Sequence, residues 1–248
     1  MLKELMATIG IGSAKVTLDL ANPTVESGGT LEGIIKIKGG SVEQVVEKVY
    51  INLMLNSAYG LGSRTGHVNR NISTVSVLDK VTIMPEQEVS IPVQFKIPLN
   101  MPISKGRTKF YLLAVLDINQ VINPKDSVPV TIIPNRYMKM VFEAFSTLGF
   151  KEKSGFGDYN GRYQEYAYIP TTFMAQELDE IELFPFIREQ EISIAMNIFT
   201  KTWGFFSSDK DLEERCEQLR LPYKQIISSS QIAEMLKEII QHEYRACS

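Results

Sequence analysis

The sequence has few of the residues that most often do chemistry or span membranes. Two histidines and two cysteines occur in 248 residues, too few for an imidazole-rich metal or proton-transfer centre. Cys216 and Cys247 cannot build a disulfide framework, and two reduced thiols fit a cytoplasmic protein. No apolar run approaches the roughly 20 residues that a membrane-spanning helix needs. The longest, Phe110–Leu116, has about seven. Residues 1–12 contain Lys3 and Glu4 and lack the apolar core of a secretory signal. The formal net charge is -3 and the pI about 5.6, which excludes broad electrostatic affinity for nucleic acid.

What the sequence does have is a period of two. Val89, Ile91, Val93, Phe95 and Ile97 alternate with Ser90, Pro92, Gln94 and Lys96, the pattern of a half-buried strand. Pro92 has no N–H to donate, so this strand belongs at an edge or a bulge. The same alternation marks Val49–Leu55, Leu31–Ile37, Val128–Ile132 and Ile192–Ile198. Phe110–Leu116 reads as a buried central strand. Tyr163, Tyr166 and Tyr168 favour strand. Turn-formers separate these runs, at Asn22-Pro23, Gly28-Gly29, Gly39-Gly40 and Asn123-Pro124. The expected class is all-β, with two tandem β-sandwich domains and short terminal helices.

The boundary is placed at Ile133-Pro134-Asn135-Arg136. Residues 1–132 form the N-terminal sandwich, with a short helix at 1–11. Residues 133–136 form the linker, and residues 137–248 the C-terminal sandwich with a C-terminal helix. A new strand is expected from Tyr137 to Phe142. The charge balance shifts at the boundary: residues 1–132 carry 13 basic and 11 acidic side chains, residues 133–248 carry 13 and 18. Three segments have helical spacing: Leu2, Leu5, Met6 and Ile9; Leu212, Cys216 and Leu219 after Ser208; and Ile232, Met235, Leu236, Ile239 and Ile240 after Ser229 or Ser230.

Several segments carry a family likeness. Glu26–Met54 runs turn, strand, Gly-Gly turn, strand, and with Val93–Ile103 resembles an arrestin-like domain. Gly10–Val16, Gly39–Gln44, Gly161-Arg162-Tyr163-Gln164-Glu165 with Ile169-Pro170-Thr171, and Leu178–Leu183 resemble the bacterial sporulation-control proteins. These are an arrestin-like family first known from stage zero of sporulation. The resemblance implies two β-sandwiches, a regulatory binding role in the cytoplasm, and no catalytic residues to carry over. Thr200–Phe206 departs from the charged, glycine-rich stretch that the family pattern implies there.

Catalytic and cofactor signals fail their own tests. Gly10-Ile11-Gly12 follows a helix-like start, not the strand of a dinucleotide fold. Cys216 reads as a small apolar residue rather than a thiolate nucleophile. Glu180 and Glu182 share the outward face of a strand, where carboxylates need no further partner. No catalytic, metal-binding or cofactor-binding residue is assigned, and no cofactor is expected. The candidate interaction surface comprises Leu2, Leu5, Met6, Ile9, Trp203, Phe205 and Phe206. The first four pack on the sandwich or bind elsewhere, and the three aromatics suit either a core or an interface.

The sequence therefore points to a non-enzymatic regulatory or scaffold protein. It would act on protein partners, or on a second copy as a homodimer, through a strand edge or a concave surface. Membrane association through the N-terminal stripe is the weaker alternative, because only Lys3 is basic there. A carbohydrate-binding or carbohydrate-active sandwich using Glu177, Asp179, Glu180 or Glu182 is the third.

Overall fold

The computed structural model describes residues 13–61, 63–118, 123–201, 215–226 and 228–247. The chain divides into two compact units. One comprises the residues up to Ser57, His67–Pro98 and Thr108–Ile133; the other comprises Ala58–Gly66, Leu99–Arg107 and the residues from Pro134 onward.

The first unit is built from β1 (Lys15–Leu20), β2 (Thr24–Glu26), β3 (Thr30–Lys38), β4 (Gln44–Val46), β5 (Lys48–Leu61), β6 (Arg64–Leu78), β7 (Val81–Ile83), β8 (Glu88–Lys96), β9 (Lys109–Asp117) and β10 (Lys125–Ile133). One sheet has the order β1-β3-β8 and another β2-β10-β9-β5-β6, with a small β4-β7 ladder beside them. The core follows from the alternation. Leu31, Ile35, Ile37 and Phe95 are buried in the three-stranded sheet. Val49, Ile51, Leu53, Leu55, Leu112, Ala114 and Ile132 are buried in the five-stranded one. Phe110–Leu116 lies in β9, which β10 and β5 flank on both sides, as its continuous apolar run predicts. Pro92 sits in the edge strand β8, as its missing N–H demands.

The second unit contains α1 (Arg136–Thr147), β11 (Phe150–Glu152), β12 (Tyr166–Pro170), β13 (Leu178–Ile187), β14 (Glu191–Thr200), β15 (Arg215–Pro222) and α2 (Ser229–Cys247). Its strands form one antiparallel sheet in sequential order. Cross-strand partners such as Tyr166, Leu183 and Met196 share a face. That face is apolar and carries the buried side chains of Ile181, Ile192, Ile194 and Ile198.

Tyr163, expected in a strand, lies ahead of β12, and two segment expectations fail. The segment Tyr137–Phe142 is helix, not strand. Asn135 caps it: its Oδ1 accepts the backbone N–H groups of Tyr137 at 3.1 Å and Met138 at 3.0 Å, satisfying two donors that a helix start leaves open. Its buried residues, Met138, Val141, Ala144 and Phe145, follow the helical period. Phe145 stacks on Tyr168 with ring centroids 4.6 Å apart, and Phe142 meets Tyr166 at 4.9 Å. The helix thus lies on the apolar face of β12. The expected helix through Cys216 and Leu219 is also corrected: both residues lie in β15, and residues 208–214 fall outside the described ones. Leu219 and Leu221 are buried around exposed Arg220, and they pair with Ile194 and Ile192. Period two, supplied with apolar partners across the ladder, wins over an i, i+3 spacing. The C-terminal helix forms as expected, with Ser228 rather than Ser229 or Ser230 at its start. The Ser228 hydroxyl accepts the Gln231 N–H at 3.2 Å.

No helix among the described residues is long and apolar enough to cross a membrane. The core assignment is testable in the first unit. Leu53 is fully buried, whereas Ile34 is 42% exposed on the outer face. Leu53→Ala should cost about 2–5 kcal/mol and Ile34→Ala less than about 0.5 kcal/mol, measured by urea unfolding.

Candidate interaction surfaces

The motif Gly161–Glu165 closes a clasp within the second unit. Gln164 is only 5% exposed. Its Oε1 accepts from the Ile103 N–H at 2.9 Å and from the Tyr166 hydroxyl at 2.7 Å. Its Nε2 donates to the carbonyls of Ile103 at 2.9 Å and Gly157 at 2.5 Å. Both lone pairs and both protons of the amide are used, which is what burial of such a group requires. Burial pushes the Tyr166 hydroxyl well above its ordinary range, so it remains a donor. Beside this amide, Asp158 accepts the Arg107 N–H at 2.6 Å on one oxygen. Its other oxygen accepts the Arg107 Nε at 2.8 Å and Nη2 at 2.5 Å. Gly157 has φ near +105° and sits where a Cβ would lie 2.5 Å from the Lys105 Cγ, so only glycine fits.

These contacts wall a cavity of about 290 Å³ in the second unit. Its lining includes buried Met138 and Gln164, half-buried Tyr159, and exposed Arg162, Tyr163, Phe186 and Arg188. The turn Asn160–Tyr163 is held locally, because Asn160 Oδ1 accepts the N–H groups of Arg162 at 2.9 Å and Tyr163 at 3.1 Å. Tyr163 stands edge-on to Phe184 at 5.0 Å. Arg188 lies at the β13–β14 turn, where its carbonyl accepts the Tyr223 hydroxyl at 2.8 Å. Tyr223 in turn stacks on Tyr137 of α1 at 3.9 Å.

The outward acidic face of β13 is not simply solvated. The Glu180 side chain is 13% exposed and pairs with Lys153. Glu182 Oε2 accepts from Asn197 Nδ2 at 3.1 Å. Glu165 has its pKa raised to about 7, first by burial, then by the charge of Glu182, by a hydrogen bond to it and by the charge of Glu180. Strand pairing brings these carboxyls together, since Tyr166 opposes Leu183 and Ala167 opposes Glu182.

A different surface lies in the first unit. Among the described residues, β6 ends the five-stranded sheet and has β5 as its one neighbour. From His67 to Leu78 it contains no proline and a single charged residue, Arg70. The edge strand β8 carries Pro92, Glu88 and Lys96, features that blunt an edge against pairing. β6 lacks this protection.

The remaining expectations are placed as follows. Leu2, Leu5, Met6, Ile9, Trp203, Phe205 and Phe206 lie outside the described residues. His67 and His242 are exposed, and His242 Nδ1 is 3.1 Å from Glu243 Oε1. Lys36 pairs with Asp19 at 2.6 Å and Lys38 with Glu86 at 3.4 Å, so the outward lysines of β3 have partners. No group of three or more His, Cys, Asp or Glu among the described residues is arranged to hold a metal ion. Sequence reasoning singled out the Gly161–Glu165 motif but not Asp158, Arg107 or Arg188, which carry no local pattern.

Strand-rich units with a blunted edge, an open edge and a walled cavity define a mostly β protein that agrees with an arrestin-like architecture. The family model for SpoOM protein matches residues 2–201, and the chain belongs to that family of sporulation-control proteins. The match ends at residue 201, inside the Thr200–Phe206 departure. The sporulation-control protein spo0M of Bacillus subtilis (strain 168) is 27% identical over 252 residues, covering 96% of each chain. The crystal structure of Spo0M from Bacillus subtilis superposes with a TM-score of 0.76 at 23% identity, over 96% of this chain and 100% of that one.

Two outcomes follow from this geometry. Gln164→Leu would leave the Ile103 N–H and two carbonyls without their partners, at a cost of about 2–4 kcal/mol to the second unit, read from its unfolding midpoint. Glu165 binds a proton more tightly folded than unfolded, so stability should fall as pH rises from about 4.5 towards about 7. Glu165→Gln should flatten that slope and raise the melting midpoint above pH 7. Discounted for partial exposure, the gain is about 1 kcal/mol, or about 2–4 °C, measured by thermal melts across that range.

Proposed function

We propose that this protein is a cytoplasmic regulator in the control of sporulation that has no catalytic activity and works by binding other proteins. The observation that carries the reading is the open edge of β6. A twelve-residue stretch with one charge and no proline, His67–Leu78, forms an edge of the five-stranded sheet among the described residues. An extended segment of a partner can join it as a further strand. Main-chain hydrogen bonds then supply affinity, and alternate side chains supply selectivity. The contrast with β8 supports this, because the same unit protects one edge and leaves the other available. A second copy of the chain can use the same edge, which would give a symmetric dimer.

The test places a photo-crosslinking amino acid at Asn69 or Ser76, both exposed on β6, in living cells of the native organism. Adducts to another protein, or to a second copy, are expected from these positions. A control position, Glu234 on α2, is exposed and in the other unit. If Asn69 and Ser76 yield no adduct beyond those from Glu234, addition of a strand at β6 is wrong.

A further inference from the structure

We propose that the cavity of the second unit is a binding site for an acidic segment of a partner protein, in which a carboxylate side chain engages Arg162 and Arg188 while apolar side chains cover Tyr163 and Phe186. The proposal deepens the protein-binding reading above, but it rests on a different surface.

Charge is the first argument. Among the described residues no Asp or Glu lines this cavity, yet Arg162 and Arg188 do. Residues 133–248 carry 18 acidic and 13 basic side chains, so a carboxylate-free spot with two arginines runs against its own surroundings. Arg188 has one carboxylate within reach, Glu191 Oε1 at 4.0 Å, and Glu191 also accepts the Ser193 hydroxyl at 3.2 Å. Among the described residues, the Arg162 guanidinium has no carboxylate partner. An arginine in this state keeps its planar fork of donors for an incoming carboxylate.

The apolar surface is the second argument. Tyr163 is 36% exposed and Phe186 38% exposed. They are among the few large apolar side chains left open in the described residues, and both belong to this cavity. Exposed aromatics beside arginine have the composition of interface anchors. They extend the recognition area past what a small free anion would cover, so the occupant is a peptide segment. The volume suits two or three side chains, not a folded domain.

Preorganisation is the third. The Gln164 amide, the Asn160 turn and the Tyr223–Arg188 hydrogen bond hold the walls from three directions. A partner would meet a site already in shape, which reduces the ordering cost of binding.

The test pans a random dodecapeptide library displayed on phage against the full chain. Fluorescence polarisation of the enriched peptides follows. Expected is enrichment of Asp or Glu next to apolar residues, with affinity that falls as salt rises. The double variant Arg162→Gln/Arg188→Gln should weaken binding by about tenfold or more. Both arginines are exposed, so its melting midpoint should match the parent. Lys36→Gln/Lys38→Gln, in the first unit, should leave binding unchanged. The proposal is overturned if enriched peptides lack acidic residues, if the arginine variant binds them equally, or if free glutamate at millimolar concentration displaces them fully. The last result would assign the cavity to a small carboxylate. Failure here leaves adducts at Asn69 and Ser76 untouched, and absence of those adducts leaves peptide binding at the cavity untouched, so the two readings fail separately.

Discussion

The second unit is organised around one buried amide. Gln164 makes four hydrogen bonds, two with Ile103, one with Gly157 and one from the Tyr166 hydroxyl. A polar group so deeply buried is tolerable only when every donor and acceptor is used. That requirement sets the path of two loops at once. Asp158 and Arg107 repeat the tie between the same segments with charge. The cavity lies beside this clasp, and the adjoining turn that carries Arg162 is held by Asn160 Oδ1.

The two units solve different problems with the same strand physics. The first buries apolar alternations between sheets and must then deal with its edges. β8 carries Pro92 and charged residues at both ends, features that disfavour edge pairing, whereas β6 from His67 to Leu78 has no proline and one charged residue. The second closes its apolar sheet face with aromatic side chains of α1. It directs polar and charged side chains to the opposite face, where Glu165, Glu180 and Glu182 crowd one another. The first unit thus offers main-chain groups along a strand edge, and the second a walled pocket lined by side chains.

The strands were legible because period two is local. Val49–Leu55, Val89–Ile97 and Ile192–Ile198 each state their own buried face. The errors came where local patterns compete. Tyr137–Phe142 alternates well enough for a strand, but Asn135 and the spacing Met138, Val141, Ala144 and Phe145 make it a helix. That spacing acquires meaning only against Tyr166 and Tyr168. Cys216 and Leu219 suit either period, and Ile192 and Ile194 across the ladder decide the matter. Arg162, Glu165, Glu180 and Glu182 stood in segments that the sequence marked, but the meeting of Glu165 with Glu180 and Glu182, and of Arg162 with Arg188 in one cavity lining, was not legible. Both depend on register and on turns between distant strands, which no window of sequence displays.

Leu99–Arg107 joins two strands of the first unit, β8 and β9, yet counts with the second unit. The covalent path thus passes from one unit to the other more than once. No single cut in the chain, at Pro134 or elsewhere, yields both parts intact. A fragment that starts at Pro134 would lack Ile103, and with it half of the Gln164 clasp. Because Ile103 contributes only its main-chain N–H and C=O, the second unit depends on the path of that loop rather than on its side chain.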